Sequence, residues 1–204
     1  MRKLMLVLAS FSLATPALAE DTKGIRLKMS QDFFTRQADW QIVADEAGDK
    51  VYTDTMSFLN GGSRFEVTKL INPRFELGGI ASYTFVDQKT EEGDGIAAGS
   101  GYGIGLTAAY NFKISDSMKG FLQPMVGLAS MGMTPEGGDE AAEGGLYFGA
   151  AAGMRIRLFK RVTLDPQFEY SQYNLGYSVD GEDVEDLEGR RTNMGLRWGI
   201  TAML

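Results

Sequence analysis

The chain has 204 residues, contains neither cysteine nor histidine, and carries a formal net charge of −7 at pH 7. The absence of cysteine excludes disulfides and metal–thiolate sites. The absence of histidine excludes serine–histidine and aspartate–histidine hydrolytic sites. The acidic balance argues against a nucleic-acid-binding protein, which needs a basic face. We therefore expect a protein that is not an enzyme and has no cofactor.

Residues 1–19 have the features of an export signal in the usual order. Arg2 and Lys3 give a positive start, residues 4–14 form an apolar run, and Ala17-Leu18-Ala19 matches a small-x-small cleavage pattern. The apolar run is too short to cross a bilayer as a helix. The sequence thus predicts a signal peptide over 1–19 and one mature domain over 20–204.

Alternation of apolar with small or polar residues dominates the rest of the chain. In the last segment, one face carries Met194, Leu196, Trp198, Ile200, Ala202 and Leu204. Side chains of a strand point to opposite faces in turn, so such a period of two indicates a strand rather than a helix. The pattern predicts eight strands, at residues 24–34, 55–68, 75–85, 101–112, 120–133, 148–158, 162–171 and 193–204.

The connections between these strands alternate in length. Long polar segments are predicted at residues 35–54, 87–98, 134–144 and 176–189, and short turns at 70–73, 115–117 and 160–161. All the long loops then leave one end of the strands, while the short turns and both termini lie at the other end. This asymmetry is typical of outer-membrane barrels.

The composition of the two faces indicates which one is turned outward. The small face is rich in glycine, at Gly101, Gly103, Gly105, Gly149, Gly153, Gly195 and Gly199. Glycine makes room inside a narrow barrel but gives an exposed strand no solvating side chain. Aromatic residues lie near strand ends on the apolar face, at Phe75, Phe85, Tyr102, Phe112 and Phe148. These positions fit the two aromatic girdles at membrane interfaces, so we expect the apolar face to meet lipid.

Charged residues of both signs share the small face. They are Arg64, Glu66, Arg74, Glu76, Arg155, Arg157, Asp165, Glu169 and Arg197. Buried charges must be paired, because an unpaired one costs several kcal/mol. We therefore predict a salt-bridge network that plugs the lumen. A charged constriction that guides a solute is the alternative.

The predicted outer loops offer two further candidate sites. Carboxylates at Asp180, Glu182, Asp183, Glu185 and Asp186 suit Ca²⁺ or Mg²⁺, and such ions could bridge the loop to lipopolysaccharide. A solvated acidic surface is the simpler interpretation.

The first loop instead has apolar content. Trp40 and Tyr52 predict either a hairpin that extends the barrel above the membrane or a contact surface for a partner.

The signal peptide, the eight alternating strands and the glycine-rich segments 99–112 and 144–158 resemble the small outer-membrane β-barrel superfamily. That group includes the OmpA membrane domain, OmpX, OmpW and the opacity-type adhesins. The resemblance implies an all-β, eight-stranded antiparallel up-and-down transmembrane barrel in the outer membrane of a Gram-negative-type bacterium. It also implies contact with outer-membrane lipid and lipopolysaccharide, biogenesis through the barrel-assembly machinery, and a host or surface ligand.

Three functions remain open on the sequence. The first is a structural or surface-interaction barrel with a plugged lumen. The second is a narrow passive channel for small solutes, and the third is a soluble periplasmic barrel that binds a small ligand.

Overall fold

The computed structural model describes residues 24–43, 46–47, 51–56, 62–89, 95–135, 141–179 and 182–204, with side chains in 24–37, 62–84, 99–132, 141–179 and 189–204. The described residues are strands joined by short connections. They are β1 (Ile25–Val43), β2 (Glu46–Ala47), β3 (Val51–Met56), β4 (Ser63–Leu70), β5 (Phe75–Lys89), β6 (Gly95–Lys113), β7 (Met118–Pro135), β8 (Ala141–Phe159), β9 (Val162–Val179) and β10 (Glu182–Met203). No helix among these residues is long and apolar enough to cross a membrane.

Eight of these strands close into a ring in the described part of the chain. β1 and β4 to β10 follow one another, each antiparallel to its neighbour, and β10 pairs back with β1 from Arg26 opposite Met203 to Val43 opposite Leu187. A closed ring leaves no sheet edge unpaired, which a chain in lipid requires. The predicted fold class, an eight-stranded antiparallel barrel, is confirmed.

Seven of the eight ring strands are longer than predicted, whereas β4 begins at Ser63, later than the predicted strand 55–68. The predicted long loops are wrong in extent. β5 continues to Lys89, β6 begins at Gly95, β9 continues to Val179 and β10 begins at Glu182. β1 likewise runs through the predicted first loop and pairs with β3, with Ala38 opposite Tyr52. About 9–11 residues suffice for a strand to cross the bilayer. Beyond that length both faces of a strand meet water, and the outer face need not be apolar. The backbone pairing between strands therefore continues after the alternation of apolar and polar residues has ended.

The short turns form where the sequence predicts them. The first turn, residues 71–74, is fixed by Asn72, whose Oδ1 accepts hydrogen bonds from the backbone N–H of Arg74 at 2.9 Å and of Phe75 at 3.0 Å. Pro73 presets its own φ angle there and has no N–H to leave unpaired. This Asx turn, the turn at 114–117 and the turn at 160–161 share one end of the barrel with Gly24 and Leu204.

The outer surface of the barrel is apolar. Leu106 is 68% exposed and Ile104 63%, whereas the inward Phe121 is 1% exposed. Phe75 and Tyr110 form an aromatic contact near the short turns, with ring centroids 5.1 Å apart. Large apolar side chains exposed on successive strands are unfavourable in water but suit a lipid environment. The exterior thus carries the lipid-facing belt, which argues against a soluble barrel.

Two inward glycines make room for one large ring. A Cβ on Gly105 would lie 2.6 Å from Oη of Tyr147, and one on Gly127 would lie 2.6 Å from Cε1 of the same ring. Tyr147 is 4% exposed and stacks on Tyr173 with centroids 5.4 Å apart. The glycine-rich inner face therefore allows a tyrosine to fill the part of the lumen that lies towards the long loops.

Candidate functional site

Charged side chains fill the interior of the barrel. Six cationic side chains there form salt bridges with six carboxylates. The cations are Arg26, Lys28, Arg64, Arg155, Arg191 and Arg197, and the carboxylates are Asp32, Glu66, Glu76, Glu143, Asp165 and Glu169. The interior charge in the described residues is thus balanced. We call this set, with the polar side chains bonded to it, the plug.

The upper layer of the plug lies towards the long loops. Arg64 on β4 grips Glu169 on β9 through two parallel hydrogen bonds, each 2.6 Å. Arg197 on β10 makes a similar pair with Asp32 on β1, at 2.9 and 2.8 Å. Such fork-to-fork pairs combine charge with fixed geometry. The Arg64–Glu169 pair crosses the lumen between strands that are not neighbours in the ring, whereas Arg197 and Asp32 lie opposite each other on the paired strands β10 and β1.

The middle layer continues the hydrogen-bond network towards the short turns. Lys28 lies 3.4 Å from Glu66 Oε1 and donates a hydrogen bond to Gln167. Gln123 donates to Glu66 at 2.7 Å, and Gln167 donates to Glu169 at 3.3 Å. The two glutamines therefore connect separate ion pairs into one network.

Glu76 is the centre of the lower layer. Its side chain is fully buried and accepts hydrogen bonds from Arg26, Arg155, Thr68 at 3.0 Å and Asn111 at 2.6 Å. A carboxylate offers about four lone-pair sites, so this one is saturated. The two guanidinium groups share it, and its negative charge offsets their mutual repulsion.

Asp165 completes the lower layer beside Arg155. It accepts hydrogen bonds from Thr163 at 2.6 Å and Thr201 at 2.7 Å, and lies 3.5 Å from Nε of Arg155. The ring of Phe121 lies between the middle and lower layers, 5.2 Å from Nζ of Lys28 and 5.0 Å from Cζ of Arg155. Both contacts are within the range of cation–π attraction. An aromatic ring thus seals the space between the charged layers.

Two cavities flank the plug and have no lining residue in common. The loop-side cavity, about 100 Å³, is lined by residues that include Arg64, Glu169 and Arg197. The turn-side cavity, about 70 Å³, is lined by residues that include Arg26 and Arg155. The three layers of the plug separate the two cavities.

Seven of the nine predicted lumen charges lie in the plug: Arg64, Glu66, Glu76, Arg155, Asp165, Glu169 and Arg197. Two predictions are wrong. Arg74 is exposed in the first short turn, because its strand begins only at Phe75. Arg157 is exposed beside the register shift that ends β8, and it lines the turn-side cavity. Both residues lie beyond the closed part of the lumen.

Sequence reasoning missed five members of the ion-pair set. Arg26, Lys28 and Asp32 alternate along β1, so period two could have identified them. Glu143 falls in the predicted acidic loop 134–144, but it lies on β8 and pairs with Arg191, Nη2 to Oε2 3.1 Å. The assumption that polar loops are solvated hid this pair.

The loop candidates lie outside the described side chains. Glu182, Asp183, Glu185 and Asp186 belong to β10, and Asp180 lies outside the described residues. Trp40 and Tyr52 lie on the paired strands β1 and β3, which form the predicted hairpin extension. The signal peptide, residues 1–19, also lies outside the described residues.

No family model and no curated protein sequence matches the chain. Several solved structures match its fold. Neisserial surface protein A is 13% identical with a TM-score of 0.52, and the match covers 87% of this chain and 96% of that one. The outer membrane protein AlkL in lipid bilayers is 8% identical with a TM-score of 0.52, covering 94% of each chain.

The outer membrane protein OprG from Pseudomonas aeruginosa is 9% identical with a TM-score of 0.50, covering 90% of this chain and 97% of that one. At such low identity the likeness concerns the fold alone. The outer-membrane location predicted from the sequence agrees with these neighbours and with the apolar exterior. The chain therefore has the fold of the small eight-stranded outer-membrane β-barrels.

Proposed function

We propose that this protein is a structural or surface-interaction barrel whose lumen is closed to solutes. The observation that carries the proposal is the plug, three bonded layers that separate the cavities at the two ends. Gln123 and Phe121, at the centre, are each 1% exposed. An eight-stranded interior is only just wide enough for its own side chains. An ion crossing it would have to displace paired charges that hold each other in a desolvated space.

Single-channel recording of the refolded protein in a planar bilayer tests this proposal. We expect a silent bilayer, with circular dichroism showing a folded barrel. A variant with Phe121→Ala and Gln123→Ala removes the central side chains and should conduct in discrete steps. Arg74→Gln, at an exposed turn, is the matched control and should stay silent.

The second candidate function is a narrow passive channel, and the loop-side cavity favours it. That cavity opens a polar path from the long-loop end as far as the Arg64–Glu169 pair. Discrete openings of the unmodified protein would establish this function and refute the closed lumen. Ion selectivity that then changes in Arg155→Gln and Arg197→Gln would identify the constriction.

The surface-interaction role requires a contact region at the long-loop end. The hairpin of β1 and β3 projects there, and its sequence contributes Trp40 and Tyr52. The acidic segment that includes Asp180 and Glu182 would supply a charged neighbour, with divalent ions as the bridge to lipopolysaccharide. Replacing Trp40 and Tyr52 with Ser should weaken the attachment of cells that display the protein to a surface. Unchanged attachment would exclude the hairpin as the contact region.

A further inference from the structure

The charge balance of the interior ends at the short-turn end of the barrel. The turn-side cavity is lined by six cationic side chains, namely Arg26, Lys119, Arg155, Arg157, Lys160 and Arg161, and by a single carboxylate, Asp116. They come from the ends of β1, β7 and β8 and from the turns at 114–117 and 160–161. The cavity therefore has a concentrated excess of positive charge.

Two of these cations are already committed to the plug. Arg26 and Arg155 both donate to Glu76. Lys119, Arg157, Lys160 and Arg161 make no salt bridge with any other residue that the structure describes. This is the reverse of the interior, where each cation has a carboxylate partner.

Asp116 offsets only a small part of this positive charge. Its carboxylate forms a salt bridge with Lys113, 2.5 Å away. The hydrogen bond from Lys113 lowers the pKa of Asp116, with a smaller electrostatic contribution from Arg157. The carboxylate is fully ionised at neutral pH and is occupied by a residue that does not line the cavity.

The chemistry of the four cations that make no salt bridge indicates the class of ligand. Guanidinium and ammonium groups are donors with no acceptor capacity. Several of them converging on one concave space match an oxyanion with several acceptor oxygens, and phosphate is the group that arginine forks and lysine charges recognise best.

The position of the cavity makes phosphate available. Leu158 and Phe159, which lie in sequence between the lining residues Arg157 and Lys160, are large apolar side chains that are 48% and 68% exposed. These residues mark the level at which lipid chains end and headgroups begin. A headgroup phosphate and a free phosphate from the aqueous compartment could both reach the same cations.

We propose that the turn-side cavity is a binding site for a phosphate group, with Lys119, Arg157, Lys160 and Arg161 as its ligands. The site lies beneath the plug and is independent of whether the lumen conducts. It faces the compartment opposite the long acidic loops.

Calorimetric titration of the refolded protein in octyl glucoside, which contains no phosphate, tests the proposal. One arm adds inorganic phosphate and the other adds short-chain phosphatidylglycerol, both at about 0.15 M salt, where exposed charges are screened beyond about 8 Å. We expect saturable binding at one site per barrel in at least one arm. Binding in the phosphate arm identifies free phosphate as a ligand, and binding in the lipid arm alone identifies the headgroup.

Two variants locate the site. Lys160→Gln with Arg161→Gln removes two cavity cations and should weaken binding at least about tenfold, as expected for the loss of charge-assisted hydrogen bonds. Lys69→Gln with Arg74→Gln removes one lysine and one arginine that are exposed at the same end but outside the cavity, and should bind as the unmodified protein does. Arg157→Gln is the second cavity variant if the altered turn impairs folding, as judged by heat-modifiable gel migration. Equal weakening in the control pair, or no saturable binding in either arm, would overturn the proposal.

Discussion

Replacing Glu76 with Gln should destabilise the barrel more than any other single substitution in the plug. The amide keeps the size of the side chain but removes the charge that two guanidinium groups share. Arg155 would keep Asp165, 3.5 Å from its Nε, whereas Arg26 forms a salt bridge only with Glu76 among the described residues. Breaking a buried pair by removing one partner costs about 3–5 kcal/mol, and here the two remaining cations also repel each other. We expect a loss of about 4 kcal/mol in the free energy of unfolding.

A double-mutant cycle separates this electrostatic effect from loss of packing. Glu76→Gln combined with Arg26→Gln restores the balance of charges, so the pair should be less destabilised than the sum of the two single variants by about 1–3 kcal/mol. Guanidinium chloride unfolding in detergent micelles, followed by tryptophan fluorescence and heat-modifiable gel migration, measures all four proteins. Additive effects within about 0.5 kcal/mol would refute the shared-carboxylate reasoning.

Two further substitutions test the inner and outer surfaces of the barrel. Gly127→Ala would place a Cβ 2.2 Å from the carbonyl oxygen of Ile104 and beside the Tyr147 ring, so we expect a loss of about 1–3 kcal/mol in unfolding experiments, whereas Gly132→Ala on the same strand meets nothing within 4 Å and should be neutral. Equal effects would contradict the close packing around Tyr147. Leu106→Lys on the lipid-facing surface should cost about 2–4 kcal/mol if the residue lies near the bilayer midplane, while Ser115→Lys in an exposed turn should refold normally from urea into vesicles. A Leu106→Lys protein as stable as its parent would argue against the proposed membrane belt.

The ring of strands and its inward and outward faces could be predicted from the sequence, because a period of two assigns every second residue to the same face. It placed Arg64, Glu66 and Glu76 in the lumen because they fall within predicted strands and on the small or polar face. It misplaced Arg74 and Arg157, where the strand ends and alternation no longer determines what is enclosed. The pattern says which face a side chain takes but not how far the enclosed region extends.

The partners within the plug were beyond sequence reasoning. Glu76 has Arg26 and Arg155 as partners because the register and tilt of the strands bring three strands to one level, and neither quantity is encoded in alternation. Glu143 was assigned to a loop for a related reason. Above the lipid the outer face need not be apolar, so a strand that continues there looks like a polar connection.

The plug also has a consequence for how the chain folds. Its ion pairs join residues far apart in sequence, with Asp32 and Arg197 separated by 165 positions and Arg64 and Glu169 by 105. Neighbouring hairpins can form locally, but these contacts arise only when the first and last strands meet. Until then the charged side chains of the plug remain hydrated on an open sheet, and they are buried only when the barrel closes. The pairing of β1 with β10 is thus the step that completes the fold. Folding dominated by such non-local contacts should be slow and cooperative.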